Sequence, residues 1–373
     1  MKPIFLHFSI LVAGLAVAPA PAEQAQFQRW GTESLSAIRQ AFYMPDRSLY
    51  AEEVNNGKKP SPSWIWDASI QLGALNAAAK LDPQTYLPQV RGYAVALRSY
   101  RTTNHDRPGF DVNPPPKKPD RYYDDNAWIC LSLLETYELT KDPQDLAFAM
   151  DAYNFAMSGE DDKTLSGGIY WHEDRPTSKN ACSSGPAMIA ALKLHQLTGD
   201  EKYLATAKRL YDWQRTHLQD DADGLIYDSI SVSTGRPARM KLPYNSGTLI
   251  RAACMLYLVT KDQKYLDEAE RVAQASEKRF VRSSDGIIGG AGKLGVKLVE
   301  AFLELYEIDH NDHWRQVIGR CLTSLHEHRN QNGWYPQDWD RSPPPLDRLV
   351  RLIDQAAPAR AYWIAVMHGV QVH

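Results

Sequence analysis

The run YYDDNAWICLSLLETYELT sets two neighbouring carboxylates, Asp124 and Asp125, at the foot of a long amphipathic helical pattern. Two carboxyls facing one cavity cannot both ionise freely, because like charges at short range raise one pKa. The pair could therefore supply one nucleophile and one proton donor. Asp and Asn are also favoured at helix N-caps, and an Asp-Asp-Asn run ahead of apolar residues is open to that reading as well. At the starts of other helical patterns stand Trp66 with Asp67, Lys179 with Asn180, Tyr244 with Asn245, and Asp354. Capping explains an isolated Asp or Asn at such a place. It does not explain Trp66, Lys179 or Tyr244, and together these residues describe a polar and aromatic cup around the aspartate pair.

The elements that must position this cup are helices. In LSLLETYELT, AMIAALKLHQLT, GTLIRAACMLYLVT and KLVEAFLELYEI, apolar residues recur at three- and four-residue spacing. Each stretch ends in a similar corner: LDPQTYL from Leu81, LTKDPQDL from Leu139, LTGDEKYL from Leu197, VTKDQKYL from Val259 and IDHNDHWRQV from Ile308. The corners recur about every 50 to 60 residues, the signature of stacked helical hairpins. Counting 27–43 and 354–370 as atypical ends gives about six pairs, enough to close a ring. Long loops at about 44–63, 102–123, 158–180, 219–243 and 331–353 precede the apolar helices. Loops of that length are more often functional than structural, so the helix starts beside the aspartates should crowd one working face.

Composition fits a soluble globular enzyme: 43% hydrophobic, 23% charged and a net charge of -3 over 373 residues. No basic excess suggests a nucleic-acid partner. Ten Trp and nineteen Tyr offer flat faces that would suit sugar rings, though cores use aromatics too. The start, MKPIFLHFSILVAGLAVAPAPAEQ, has the basic, apolar and small-residue layout of a secretory leader, giving an expected leader at 1–22 and a single domain at 23–373, secreted or periplasmic. Cys130, Cys182, Cys254 and Cys321 lie far apart on helical patterns, and no obligatory disulfide is expected. No Cys or His pair has zinc spacing. The acidic turn around Asp221 and Asp223 has Gln219 at the first calcium-loop position and no closing Glu, so it reads as a solvated turn.

The runs YYDDNAWICLSLLETYELTKD, GGIYWHEDRPTSKNACSSGPAMIAALKLHQLTGDEKYL and LPYNSGTLIRAACMLYLVTKDQKYL, in this order, resemble glycoside hydrolase family 76, the endo-alpha-1,6-mannanases and their relatives. The resemblance extends from about Trp30 to the last helix. It implies an all-α fold, a single (α/α)6 barrel of about six helical hairpins, and a retaining mechanism with Asp124 as nucleophile and Asp125 as general acid/base. Retaining glycosidases need carboxyls only about 5 to 5.5 Å apart, which neighbouring residues can meet. The substrate it implies is alpha-mannan, with no cofactor or metal. Asp67 and Asp228 are candidates for binding sugar hydroxyls, or else caps and turn residues. Trp66, Trp171 and Tyr244 are candidate walls for sugar faces, or core aromatics. Lys179, Asn180 and Asn245 complete the cup. Ser184 and Ser246 depart from the family pattern and bear on the shape of the subsites.

Three functions follow as expectations. The first is an exported endo-acting alpha-1,6-mannanase. The second is a transglycosidase that passes the sugar to another cell-wall glycan; WIAVMHGVQVH lacks the layout of a lipid-anchor signal, which favours hydrolysis. The third is a glycan-binding protein on the same fold, against which the intact aspartate pair speaks.

Overall fold

The computed structural model describes residues 22–55, 57–115, 118–342 and 349–373. Apart from Ala22, the expected leader lies outside these residues. Twelve helices follow in chain order among them: α1 (Ala22–Phe42), α2 (Ile65–Leu81), α3 (Pro83–Leu97), α4 (Tyr123–Thr140), α5 (Pro143–Met157), α6 (Ala181–Thr198), α7 (Glu201–Leu218), α8 (Pro243–Thr260), α9 (Gln263–Phe280), α10 (Gly292–Asp309), α11 (His313–Glu327) and α12 (Leu352–Met367). The even-numbered helices touch in sequence, α2 to α4 and onward to α12, which returns to α2 and closes an inner ring. Each inner helix packs on the outer helix that follows it, and α12 takes α1 as its partner. The fold is an (α/α)6 barrel whose sixth pair joins the two ends of the chain. Among the described residues no helix is long and apolar enough to cross a membrane.

The repeated corner has a simple local cause. Lys141, Gly199, Lys261 and His310 end their inner helices in the left-handed conformation, with φ of 54°, 69°, 59° and 53°. Each gives its N–H to the carbonyl four residues back. After the first three, Asp142, Asp200 and Asp262 cap the outer helix by accepting from the amides of Gln144, Lys202 and Lys264. The hydroxyls of Thr140, Thr198 and Thr260 accept the amides of those aspartates. The Thr-x-Asp corner thus ends one helix and starts the next within three residues. It fixes each hairpin as antiparallel, so all six inner helices run in one sense.

The inner helices α2, α4, α6, α8 and α12 are not amphipathic, which corrects the expectation for α4. They are buried on nearly every side because each faces two ring neighbours, an outer helix and the axis. The polar residues that suggested a solvent face of α4 bind its neighbour instead: Ser132 Oγ donates to the Ser69 carbonyl, and the Asn76 amide donates to the Ser132 carbonyl. The outer helix α9 carries a true amphipathic pattern, with Tyr265, Leu266, Ala269, Val272 and Ala273 turned inward.

Charged residues from four inner helices meet at the axis. Arg360 pairs with Glu135 at 2.9 Å and Glu300 at 2.6 Å; Arg251 pairs with Glu300 at 2.5 Å and Glu304 at 2.6 Å; Lys297 reaches Glu300 at 3.0 Å. Three cations balance three anions, as burial requires. Gly73 makes room for this network, because a Cβ there would lie 2.3 Å from Arg360 Nη1.

The opposite end carries the long loops, and they contain strands that the sequence reading did not anticipate. Residues 170–172, 175–180, 227–231 and 237–241 form a four-stranded antiparallel sheet, with smaller hairpins at 43–50 and 101–110. At two to six residues each, these strands are too short to display an alternating pattern.

Candidate active site

Every inner helix starts at the loop end, so equivalent first-turn positions form a rim. The second residues of α2, α4, α6, α8 and α10 are Trp66, Asp124, Cys182, Tyr244 and Lys293. Beside them opens a cleft of about 400 Å³ lined by Trp64, Trp66, Val112, Asn113, Asp120, Tyr122, Asp124, Asp125 and Trp171.

The helix-cap reading of the aspartates holds only in part. The N-cap of α4 is Tyr122, which makes no side-chain cap. Asp124 Oδ1 accepts the Asp125 amide at 3.0 Å, satisfying one free N–H of the first turn. Its other oxygen, Oδ2, faces different partners. Trp171 Nε1 donates to it at 3.0 Å and Cys182 Sγ at 3.3 Å. Asp125 has no side-chain hydrogen bond among the described residues.

The two carboxyls consequently differ in acidity. Burial pushes Asp124 up to about 6, and the bonds from Cys182, Trp171 and the backbone restrain it there. Burial, then the charges of Asp124, Asp120 and Asp111, push Asp125 well above the usual carboxylate range. Asp124 therefore ionises first and Asp125 keeps the proton.

The cleft walls are tied down around this pair. Asp120 Oδ1 lies 2.8 Å from His172 Nε2, and His172 Nδ1 accepts the Asp174 amide at 3.0 Å, so Nε2 carries the proton and donates to Asp120. Arg121 grips Glu173 and the carbonyls of Asn104 and Arg107, fastening the 101–122 loop to the neighbouring hairpin. Tyr122 packs edge-on against Trp171, with centroids 5.0 Å apart. Across the cleft, Lys293 lies 4.8 Å over the Trp66 ring and Arg351 5.7 Å over Trp64.

The residues anticipated around the pair separate into groups. Trp66 and Trp171 line the cleft with the aspartates. Tyr244, Asn245 and Asp228 lie outside its lining, with Tyr244 and Asn245 buried. Asn245 Nδ2 donates to Asp228 at 3.3 Å, and burial, followed by the charges of Cys182, Asp228 and Asp124, pushes the Tyr244 hydroxyl pKa well up, which places it close to all three. Asp67 is buried off the cleft wall beside Glu52, and burial followed by the Glu52 charge raises its pKa well above normal. Glu52 is in turn held by the Trp64 amide and by Arg351.

Lys179 and Asn180 do not join the cup. Lys179 is fully enclosed, and its ammonium donates to the carbonyls of Asp161, Thr164 and Gly167 at 2.5, 2.6 and 2.5 Å. Its place in the last strand before α6 turns it toward the 158–168 loop. Asn180 is the N-cap residue of α6, and its Oδ1 accepts from Ser178. Ser184 and Ser246 are buried and take the amides of Ile169 and Ile226, so both fasten loops outside the cleft lining. In the acidic turn, Lys241 bridges Asp220 and Asp223. All four cysteines are buried thiols.

Sequence reasoning missed Trp64, Asp120, Tyr122 and Cys182. Three of them lie in the extended approach to a helix, where residue type gives no hint of facing. Aligning the helix starts of KNACSSG and YYDDNAW would have placed Cys182 level with Asp124.

Comparison with known proteins gives a consistent picture. The model of glycosyl hydrolase family 76 matches residues 36–291. A GH76 alpha-mannanase of Bacteroides thetaiotaomicron superposes with a TM-score of 0.85 at 28% identity, covering 91% of this chain and 95% of that one. An inactive alpha-1,6-mannanase variant of Salegentibacter sp., with two adjacent aspartates replaced by asparagine and alpha-1,6-mannotriose bound, superposes with a TM-score of 0.77 at 22% identity over 92% of this chain and 99% of that one. A mannan endo-1,6-alpha-mannosidase of Candida albicans is 22% identical over 242 residues, 61% of this chain and 52% of that one. The chain thus spans about half the length of that curated relative. With the family model matched over well more than half of its residues, the chain belongs to glycosyl hydrolase family 76.

Proposed function

We propose that this protein is an exported, endo-acting alpha-1,6-mannanase that hydrolyses mannan with retention of configuration. The observation that carries the reading is the unequal environment of the aspartate pair: among the described residues Asp124 has three donors, while Asp125 has none and is surrounded by negative charge. Asp124, ionised, attacks the anomeric carbon as Asp125 passes its proton to the departing glycosidic oxygen. The sugar is then held as an ester of Asp124. Asp125, now a carboxylate, takes a proton from water, which attacks the same carbon and frees Asp124. The N-terminal end of α4 adds a favourable field for the anion, on the order of 0.3 to 1 kcal/mol at an exposed site.

Trp64, Trp66, Tyr122 and Trp171 supply flat faces for sugar rings, and Asp120 and Asn113 supply acceptors and donors for hydroxyls. The alpha-1,6-mannan assignment draws on the activities named for the relatives in Candida and Salegentibacter, and the inactivity of the latter's double-aspartate variant fits an adjacent aspartate pair that carries both catalytic roles. Digestion of linear alpha-1,6-mannan by the purified protein tests the reading. Short oligomannosides released early from chain interiors support it, and free mannose as the sole early product, or no cleavage, contradicts it.

A further inference from the structure

We infer that Cys182 is a positioning residue for the nucleophile: its thiol donates to Asp124 Oδ2 and fixes that carboxylate from the neighbouring helix of the inner ring. This deepens the proposed function and rests on Asp124 being the nucleophile. The geometry comes from the fold itself. Cys182 is the second residue of α6 as Asp124 is of α4, so the repeat sets the two side chains level on adjacent helices. Sγ lies 3.3 Å from Oδ2 and the residue is 5% exposed. An ionised carboxylate can only accept, so the proton between them belongs to the thiol.

The groups around the thiol preserve that direction. Its titratable neighbours are Asp124, Tyr244 and Asp228; those facing Asp124 are Cys182, Tyr244 from α8 and, along α4, Asp125. Asn245 Nδ2 donates to Asp228 at 3.3 Å, and Tyr244 lies near enough to Cys182, Asp228 and Asp124 for their charges, after burial, to push its own pKa well up. Among the described residues, Asp124 Oδ2 is the carboxylate oxygen that the thiol reaches. Burial, with the charges of Asp124 and Asp228, pushes the thiol pKa well up, so it stays a neutral donor wherever Asp124 is ionised.

The other side-chain donor, Trp171, stands on a hairpin and is 42% exposed. Cys182 is buried in the inner ring, and a donor enclosed by packing holds its acceptor more rigidly than one on a part-exposed side chain. Without it, Oδ2 would depend on a part-exposed indole, and the carboxylate would lose both alignment and a bond that favours its charged form.

The test compares Cys182→Ala, Cys182→Ser and Asp124→Asn on alpha-1,6-manno-oligosaccharides across pH. Cys182→Ala is expected to lower kcat about tenfold with KM within about twofold, and to move the acid limb of kcat/KM up by about half to one pH unit. Cys182→Ser, which restores a donor, should recover most of both effects. Carbon-13 titration of the Asp124 carboxyl should show the same upward movement in Cys182→Ala without any turnover, and the same spectra verify folding. Wild-type kcat and acid limb in Cys182→Ala would overturn the inference. So would equal impairment of the Ala and Ser variants with Asp124 titrating as in wild type, since the sulfur would then only fill space. If Asp124→Asn keeps wild-type turnover, the nucleophile assignment itself fails and the thiol has nothing to position; the inference fails separately only when Asp124→Asn is inactive.

Discussion

Replacing Lys179 by Met separates a sugar-binding lysine from one that holds a loop. The enclosed ammonium donates to three carbonyls, those of Asp161, Thr164 and Gly167, and lies 4.9 Å over the Tyr170 ring. Methionine keeps the apolar stem and removes every donor. A stranded carbonyl costs about 1 to 3 kcal/mol when water cannot reach it. Only the Gly167 carbonyl belongs to a buried residue; Asp161 and Thr164 are partly exposed and can recruit water, so the sum should fall at about 3 to 5 kcal/mol. An unfolding entropy of about 2.1 cal/mol/K per residue gives roughly 0.7 kcal/mol/K for a domain of about 350 residues, and hence a fall in Tm of about 4 to 7 °C. Calorimetry of wild type and Lys179→Met measures this, with KM for alpha-1,6-mannan determined in parallel and expected within about twofold. An unchanged Tm with a KM raised tenfold or more would return Lys179 to the substrate and refute the loop assignment.

Other consequences are equally open to measurement. With Asp124 near 6 and Asp125 pushed well above the usual carboxylate range, kcat/KM should fall on the acid side as pH drops through about 6 and on the alkaline side once Asp125 gives up its proton; activity that is level down to pH 4 would contradict this order. Asp125→Asn should lose about 10²- to 10⁴-fold on mannan yet keep substantial activity on mannosides with good leaving groups, whereas Asp124→Asn should lose both; identical losses on both substrates would mean the roles are misassigned. Glu300→Gln leaves three buried cations facing two anions and should destabilise the fold by about 3 to 5 kcal/mol. Lys297, lowered to about 8 in the fold, then favours its neutral form, and a lysine whose folded pKa is depressed loses stability as pH falls. The Tm gap to wild type should therefore narrow from pH 7 to pH 9, and a gap that widens would show that Lys297 is not the group that responds.

Much of the architecture was legible because it repeats. Asp142, Asp200 and Asp262 each do the same job at the same corner, so their spacing marked the hairpins, and the long loops marked the working face. The aspartate pair and Trp66 were found because they stand at helix starts, and Trp171 because an aromatic beside the motif was suggestive. Contacts between distant parts of the chain were not legible. Arg360 meets Glu135 from 225 residues away, and in each helix it reads as an ordinary charged position. Lys179 misled because it is the penultimate residue of a strand that runs to the N-cap Asn180, and one residue of register decides which side an extended side chain faces. Ser184 and Ser246, which departed from the family pattern, turned out to fasten equivalent loop amides from equivalent helix positions.

The central claim, that Asp124 attacks the sugar and Asp125 shuttles the proton, implies two inversions and so net retention. Proton NMR of the reaction with linear alpha-1,6-mannan, recorded before mutarotation, reads the outcome directly. The account predicts alpha-anomeric mannose at the newly formed reducing ends. Beta-anomeric ends appearing first would contradict it.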